Sequence, residues 1–226
     1  NWIKKELGHK KMLVSKEEIF SEIGTNYYFG GLADEISGGL HPAKFVDGLA
    51  IACTKLGVKL FENNRVNSIK KTGELYEVKT KEGSIIAKKV IVATNGYTDN
   101  LVPQLKPKIF PVGSYIIVSD VLSKELQKYL SPKGRMFYDS KWFINYFRLT
   151  PDGRMLWGGR NDLSTDLDLK ESADILSKQV RTVFPELENI DFTHTWTGKL
   201  GITFDLMPHI GNINGIYYAF GYGGHG

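Results

Sequence analysis

The spacing of apolar positions changes along the chain, and each change marks out a stretch of different architecture. Ser15-Lys16-Glu17-Glu18 has the form of a capping box and predicts a short helix reaching about Glu22. Tyr27 to Leu32 has strand composition and ends at the Gly38-Gly39 break. After His41-Pro42, the residues Phe45, Leu49, Ala52 and Leu56 recur at helical spacing. They predict a helix with one buried face, opened by Pro42 and ended by Gly57. Short strands follow at Val58–Phe61, Arg65–Lys71, Leu75–Thr80, Ser84–Ala87 and Lys89–Ala93, with hairpin turns at Lys71-Thr72-Gly73-Glu74 and Lys81-Glu82-Gly83-Ser84. Val90-Ile91-Val92-Ala93 shows no alternation, which predicts a strand covered on both faces, as in a parallel sheet.

From Lys106 to about Gly201 the strands become longer and richer in aromatic and β-branched residues: Ile109–Ser119, Trp142–Leu149, Arg154–Gly158 and Phe192–Thr197. Helices at Lys124–Leu130 and Leu169–Phe184 flank them, the second with an apolar stripe of Ile175, Leu176, Val180, Val183 and Phe184. This is α+β organisation around an antiparallel sheet, inserted into an α/β portion. The expected division is residues 1–106, an inserted antiparallel layer at 107–202, and a return at 203–226.

Composition narrows the function. The 226 residues carry a net charge of +4, with lysines in short runs such as Lys70-Lys71 and Lys88-Lys89 that read as solvated faces. No basic stripe with interleaved aromatics suggests nucleic acid as a partner. The single Cys53 excludes an internal disulfide and reads as a structural thiol on the buried helix face. Five scattered histidines lack metal-ligand spacing, so no metal is expected. No apolar run approaches a membrane span, and a cytoplasmic location is the default.

The candidate chemistry lies where strands end in small residues. Ala93-Thr94-Asn95-Gly96 follows one apolar strand, and Gly221-Tyr222-Gly223-Gly224-His225-Gly226 follows another. Backbone without bulky side chains lets a ligand approach closely, and ligands of open α/β sheets sit beyond the carboxyl ends of strands. The last turn reads as the start of a helix, so the chain is expected to be an internal piece of a larger protein.

Gly38-Gly39-Leu40-His41-Pro42-Ala43-Lys44-Phe45, Gly48-Leu49-Ala50, Ala87-Lys88-Lys89-Val90-Ile91-Val92-Ala93-Thr94-Asn95-Gly96-Tyr97 and the terminal glycine turn together resemble the FAD-dependent D-amino-acid oxidase superfamily. Pro111-Val112-Gly113-Ser114-Tyr115-Ile116, Asn145-Tyr146-Phe147-Arg148-Leu149, Gly158-Gly159-Arg160 and Pro208-His209-Ile210-Gly211 are similar to its gamma-glutamylputrescine oxidoreductase subgroup. The resemblance implies FAD as cofactor, with Val66 at the adenine. It sets Ala93, Thr94 and Gly96 against adenosine and pyrophosphate, and Gly221, Gly223, Gly224, His225 and Gly226 near the flavin pyrimidine edge. The family's Gly-x-Gly-x-x-Gly phosphate grip and the helix beyond Gly226 are not in this sequence, so weak FAD binding and little activity are expected of the piece alone.

The implied activity is oxidation of the C–N bond of an amine or amino acid to an imine, with a small-molecule substrate. Arg148, in an aromatic strand, would pair with a substrate carboxylate; an internal ion pair is the competing reading. Tyr115 and Trp196 are expected to line the substrate side, core packing being the alternative for each. No catalytic acid or base stands out, and Asp205 and His209 show no pattern that makes them a pair. A flavin dehydrogenase acting on a hydroxy acid or glycerol phosphate, or a non-catalytic binding module, would share this architecture.

Overall fold

The computed structural model describes residues 5–6, 8, 11–160 and 168–224. The chain divides into two compact units: residues 1–39 with 113–198, and residues 40–112 with 199–226. The first boundary of this division differs from the expected one. The first 39 residues group with the antiparallel layer and not with the α/β portion. The reason is burial: Val14, Ile19, Ile23 and Ala33 share one core with Tyr115, Ile117, Phe147 and Trp157.

In the first unit, β1 (Lys11–Val14) and β2 (Gly31–Asp34) form an antiparallel pair. Between them the Ser15 capping box closes reciprocally, with Glu18 N–H donating to Ser15 Oγ at 3.3 Å and Ser15 N–H to Glu18 Oε2 at 3.2 Å. It supports only a single 3-10 turn at Ile19–Ser21 where a short helix was expected.

The main sheet of this unit is completed by β7 (Phe110–Val121), β8 (Met136–Tyr138), β9 (Tyr146–Leu149), β10 (Arg154–Gly159) and β11 (Phe192–Ile202), in the order β11-β7-β10-β9-β8. β10 pairs antiparallel with both β7 and β9, and β8 with β9. One face of this sheet is the core. Phe147 stacks on Trp157 with ring centroids 4.2 Å apart, and Phe184 meets both edge-on. The helix Leu169–Val183 lays Leu176, Val180 and Val183 on that face, as its stripe predicts. Its N-cap Asp168 accepts from Lys170 and Glu171 N–H, and Ser123 caps the shorter helix Lys124–Leu130 in the same way.

The second unit holds helix α1 (Pro42–Lys55) and two three-stranded sheets. One is the meander β3 (Val66–Thr72), β4 (Leu75–Thr80), β5 (Ser84–Ala87). The other has the order β12 (His209–Ile213), β13 (Ile216–Phe220), β6 (Val90–Val92). β13 runs parallel to β6 and antiparallel to β12. A small core of Val92, Val102, Leu105, Ile109 and Phe220 backs this sheet.

Two expectations fail here for one reason. Helix α1 has no buried residue: Phe45 is 53 % and Leu56 85 % exposed, and Cys53 is half-buried. Ile91 of β6 is 70 % exposed, so that strand is covered on one face only. Amphipathic spacing reports a face that can be buried, but burial needs a partner surface. The stretch Val58–Phe61, expected to be a strand, is exposed and irregular. Among the described residues, no helix is long and apolar enough to cross a membrane.

Candidate functional site

β6 and β13 are hydrogen-bonded parallel neighbours, with Val90 opposite Ile216 and Val92 opposite Tyr218, so their carboxyl ends emerge side by side. Each then turns at small residues. After β6, Ala93 and Thr94 are exposed, and Asn95–Tyr97 form one 3-10 turn. After β13 the chain enters Gly221 with φ of 89°, a left-handed conformation that a side chain would disfavour.

Asn95 ties the two exits together. Its Oδ1 accepts from the N–H groups of Gly221 at 3.0 Å and Tyr222 at 3.1 Å, and its Nδ2 donates to the Tyr222 carbonyl at 3.2 Å. Asn95 itself has φ of 44°, a conformation that Asn tolerates better than most residues. The returning segment backs both turns. A Cβ on Gly96 would come within 2.4 Å of the Lys199 carbonyl oxygen, and one on Gly221 within 2.6 Å of the Met207 carbonyl oxygen. Lys199 N–H also donates to Tyr97 Oη at 3.1 Å.

The sequence showed no Asp205–His209 pair, but the fold makes one: His209 Nε2 lies 3.0 Å from Asp205 Oδ1, and the imidazole stacks on Phe220. The His209 hydrogen bond, with those from Met207 N–H and Thr203, lowers the Asp205 carboxyl to about 2. Thr203 Oγ1 also donates to the Met207 carbonyl at 2.9 Å, closing the turn that packs on Gly221.

Ala93, Thr94, Gly96, Gly221, Gly223 and Gly224 therefore converge on one edge of the β12-β13-β6 sheet. His225 and Gly226 lie outside the described residues. Val66 begins the separate β3-β4-β5 sheet, half-buried. His41 is the N-cap of α1, its Nδ1 accepting from Lys44 N–H at 3.4 Å.

The expected substrate-side residues lie on three strands of the main sheet, Tyr115 on β7, Arg148 on β9 and Trp196 on β11. Tyr115 is a correction: it is 2 % exposed and lies inside the core, because alternation along β7 turns Tyr115 and Ile117 to the helix-covered face. Arg148 sits on the opposite face, its Nη1 3.7 Å from Met136 Sδ. Trp196 is exposed on β11. Sequence reasoning missed Asn95, whose partners lie 126 and 127 positions away. Among the described residues, no cluster of His, Cys, Asp or Glu could hold a metal ion.

The whole chain, residues 1–226, matches the family model described as DAO, FAD dependent oxidoreductase. It is 37 % identical over 228 residues to the probable oxidoreductase OrdL of Haemophilus influenzae, covering 98 % of this chain and 52 % of that protein. It is 32 % identical over 229 residues to the gamma-glutamylputrescine oxidoreductase of Escherichia coli, covering 100 % of this chain and 53 % of that protein. The chain thus spans about half the length of the curated relatives it matches.

Among solved structures, L-proline dehydrogenase from P. horikoshii superposes with a TM-score of 0.82 at 22 % identity, over 100 % of this chain and 62 % of that one. Glycine oxidase from Geobacillus kaustophilus gives 0.83 at 17 %, over 98 % and 60 %. The chain belongs to the DAO family of FAD-dependent oxidoreductases. The convergent exits fit such a cofactor: Ala93, Thr94 and Gly224 are small and exposed beyond adjacent parallel strand ends, where a nucleotide can approach the backbone.

Proposed function

We propose that this chain is part of an enzyme that oxidises the C–N bond of an amine or amino acid to an imine, with a gamma-glutamylputrescine-like amine as substrate. The observation that carries the reading is the pair of strand exits bound through Asn95, in a chain 32 % identical to an enzyme named for that amine. FAD, when bound, supplies the hydride acceptor, and the protein orients substrate and cofactor.

In this reading Ala93, Thr94 and Gly96 face the adenosine and pyrophosphate, and Val66 the adenine. Gly221, Gly223 and Gly224 meet the pyrimidine edge of the ring. The N–H groups of Gly221 and Tyr222 are committed to Asn95. The N–H groups of Gly223 and Gly224, further along, would be the ones to answer anionic character at that edge when FAD is bound. Arg148 and Trp196 remain the substrate-side residues from the sequence, and Tyr115 is dropped from that role.

The test is an absorbance spectrum of the full-length protein followed by anaerobic titration. Bleaching of the flavin band by gamma-glutamylputrescine or other amines, and not by hydroxy acids or glycerol 3-phosphate, is the expected result. Bleaching only by the hydroxy compounds would overturn the proposal.

A further inference from the structure

Alternation along the strands divides the side chains of the main sheet between two faces. On β8, Phe137 packs with Phe147 against the core, so its neighbours Met136 and Tyr138 turn to the opposite face. Met136 is the register partner of Arg148, and Tyr138 of Tyr146. Met136 and Arg148 therefore stand side by side, as directly opposed residues of an antiparallel pair do.

The two side chains meet at one atom pair. Arg148 Nη1 lies 3.7 Å from Met136 Sδ, a thioether sulfur and so only a weak acceptor. A Cβ on Gly39 would come within 2.1 Å of this sulfur and 3.1 Å of Arg148 Nη1. The missing side chain of Gly39 thus makes the room in which sulfur and guanidinium come together. Met136 is nevertheless 43 % exposed, within reach of a small dissolved oxidant.

A peroxide oxidises a methionine thioether to a sulfoxide. One peroxide oxygen bonds to sulfur as the O–O bond breaks, and the other leaves as water, so the sulfur is oxidised and the peroxide reduced. The product carries a strongly polar oxygen where the sulfide had a weak acceptor. A guanidinium donor already beside the sulfur needs little movement to reach it, and a hydrogen bond from a charged donor is stronger than one between neutral groups.

We propose that Met136 is a reversible oxidation site whose sulfoxide takes the Arg148 guanidinium as its hydrogen-bond partner. Methionine sulfoxide reductases return the thioether, so the change can be undone. Its effect on turnover rests on the amine-oxidising reading with Arg148 on the substrate side: the sulfoxide draws that guanidinium to itself and weakens substrate binding.

The test uses the full-length flavoprotein, dilute hydrogen peroxide and peptide mass spectrometry. Met136 should gain an oxygen along with the exposed Met12 and Met207, while the core residue Met155 is spared. Phenylglyoxal, an arginine reagent, should then label Arg148 more slowly by about threefold or more. Methionine sulfoxide reductase should restore the labelling rate. In Met136→Leu, peroxide should leave Arg148 labelling as it was; if that variant does not fold, the reductase-treated parent is the comparison. In flavin bleaching by an amine, peroxide should raise the KM of the parent about threefold or more with kcat little changed, and leave that of Met136→Leu unmoved. Met136 unoxidised under conditions that oxidise Met207, or oxidised with Arg148 labelling unchanged, overturns the proposal even if amines bleach the flavin. Slowed labelling in a protein that no amine bleaches would leave the oxidation site standing and remove the amine reading.

Discussion

The Oδ1 atom of Asn95 holds the N–H of Gly221 at 3.0 Å, joining the ends of two adjacent parallel strands through one side chain. The same amide spans Tyr222 through both its N–H and its carbonyl. Asn95→Ala removes all three bonds and places Ala in a left-handed conformation, a loss of about 2–4 kcal/mol. Asn95→Asp keeps the two accepted bonds and turns a carboxylate oxygen toward the Tyr222 carbonyl. Both variants of the full-length protein should melt earlier and retain less flavin per polypeptide, Asn95→Ala the more so. Unchanged melting and flavin content in Asn95→Ala would refute this role.

Gly96→Ala should be among the most damaging small substitutions in the chain. Its Cβ would meet the backbone of Lys199 and Leu200 at 2.4 and 2.7 Å, and backbone cannot rotate aside as a flexible side chain can. A loss of roughly 2 kcal/mol or more is expected by chemical denaturation, the range for overpacking a close contact.

Glu22 is a buried carboxylate held by Lys133 Nζ at 2.6 Å and Arg135 Nε at 2.5 Å. Burial alone raises its pKa, but these two hydrogen bonds and charges outweigh it and leave the carboxyl below its ordinary 4.5. A lowered folded pKa contributes stability that is complete above the ordinary value and is lost as pH falls through the lowered one. Glu22→Gln should cost roughly 2 kcal/mol at neutral pH, because Lys133 loses its ion-pair partner and Arg135 keeps only Glu35. It should also flatten the acid side of the stability curve below about pH 4.5. An acid limb identical to the parent's would count against the ion pair.

Asp205 titrates near 2 because His209 hydrogen-bonds to it. In His209→Phe the ring can still stack on Phe220, but the hydrogen bond is gone. The carboxyl carbon resonance of Asp205 should then titrate closer to its ordinary 3.8. The parent pair favours the fold above pH 3.8 and loses that contribution on acidification toward pH 2. A carboxyl titration unmoved by the substitution would show that His209 does not hold Asp205.

Trp157→Ala empties the centre of the first unit's core, where the indole stacks on Phe147 and meets Phe184. A cost of about 3–5 kcal/mol is expected by denaturant titration. A much smaller loss would mean that the stacked aromatics are not the keystone of that core.

What the sequence disclosed was local. The strands Leu75–Thr80 and Ser84–Ala87 and the helix Lys124–Leu130 match their expected bounds, since alternation, turn residues and caps lie within a few positions of one another. Strands β1 and β8 escaped notice because each is short and is defined by its partner more than by its own composition. Both strand exits were legible as small-residue runs. Asn95, which binds them, was not, because its meaning depends on residues more than a hundred positions distant.

Helix α1, its C-cap Leu56 and strand β6 leave Phe45, Leu49, Leu56 and Ile91 open to water. Hydrocarbon in that quantity makes a segment colloidally sticky. Prepared as these 226 residues alone, the material should sediment as concentration-dependent assemblies, and mild detergent should disperse them.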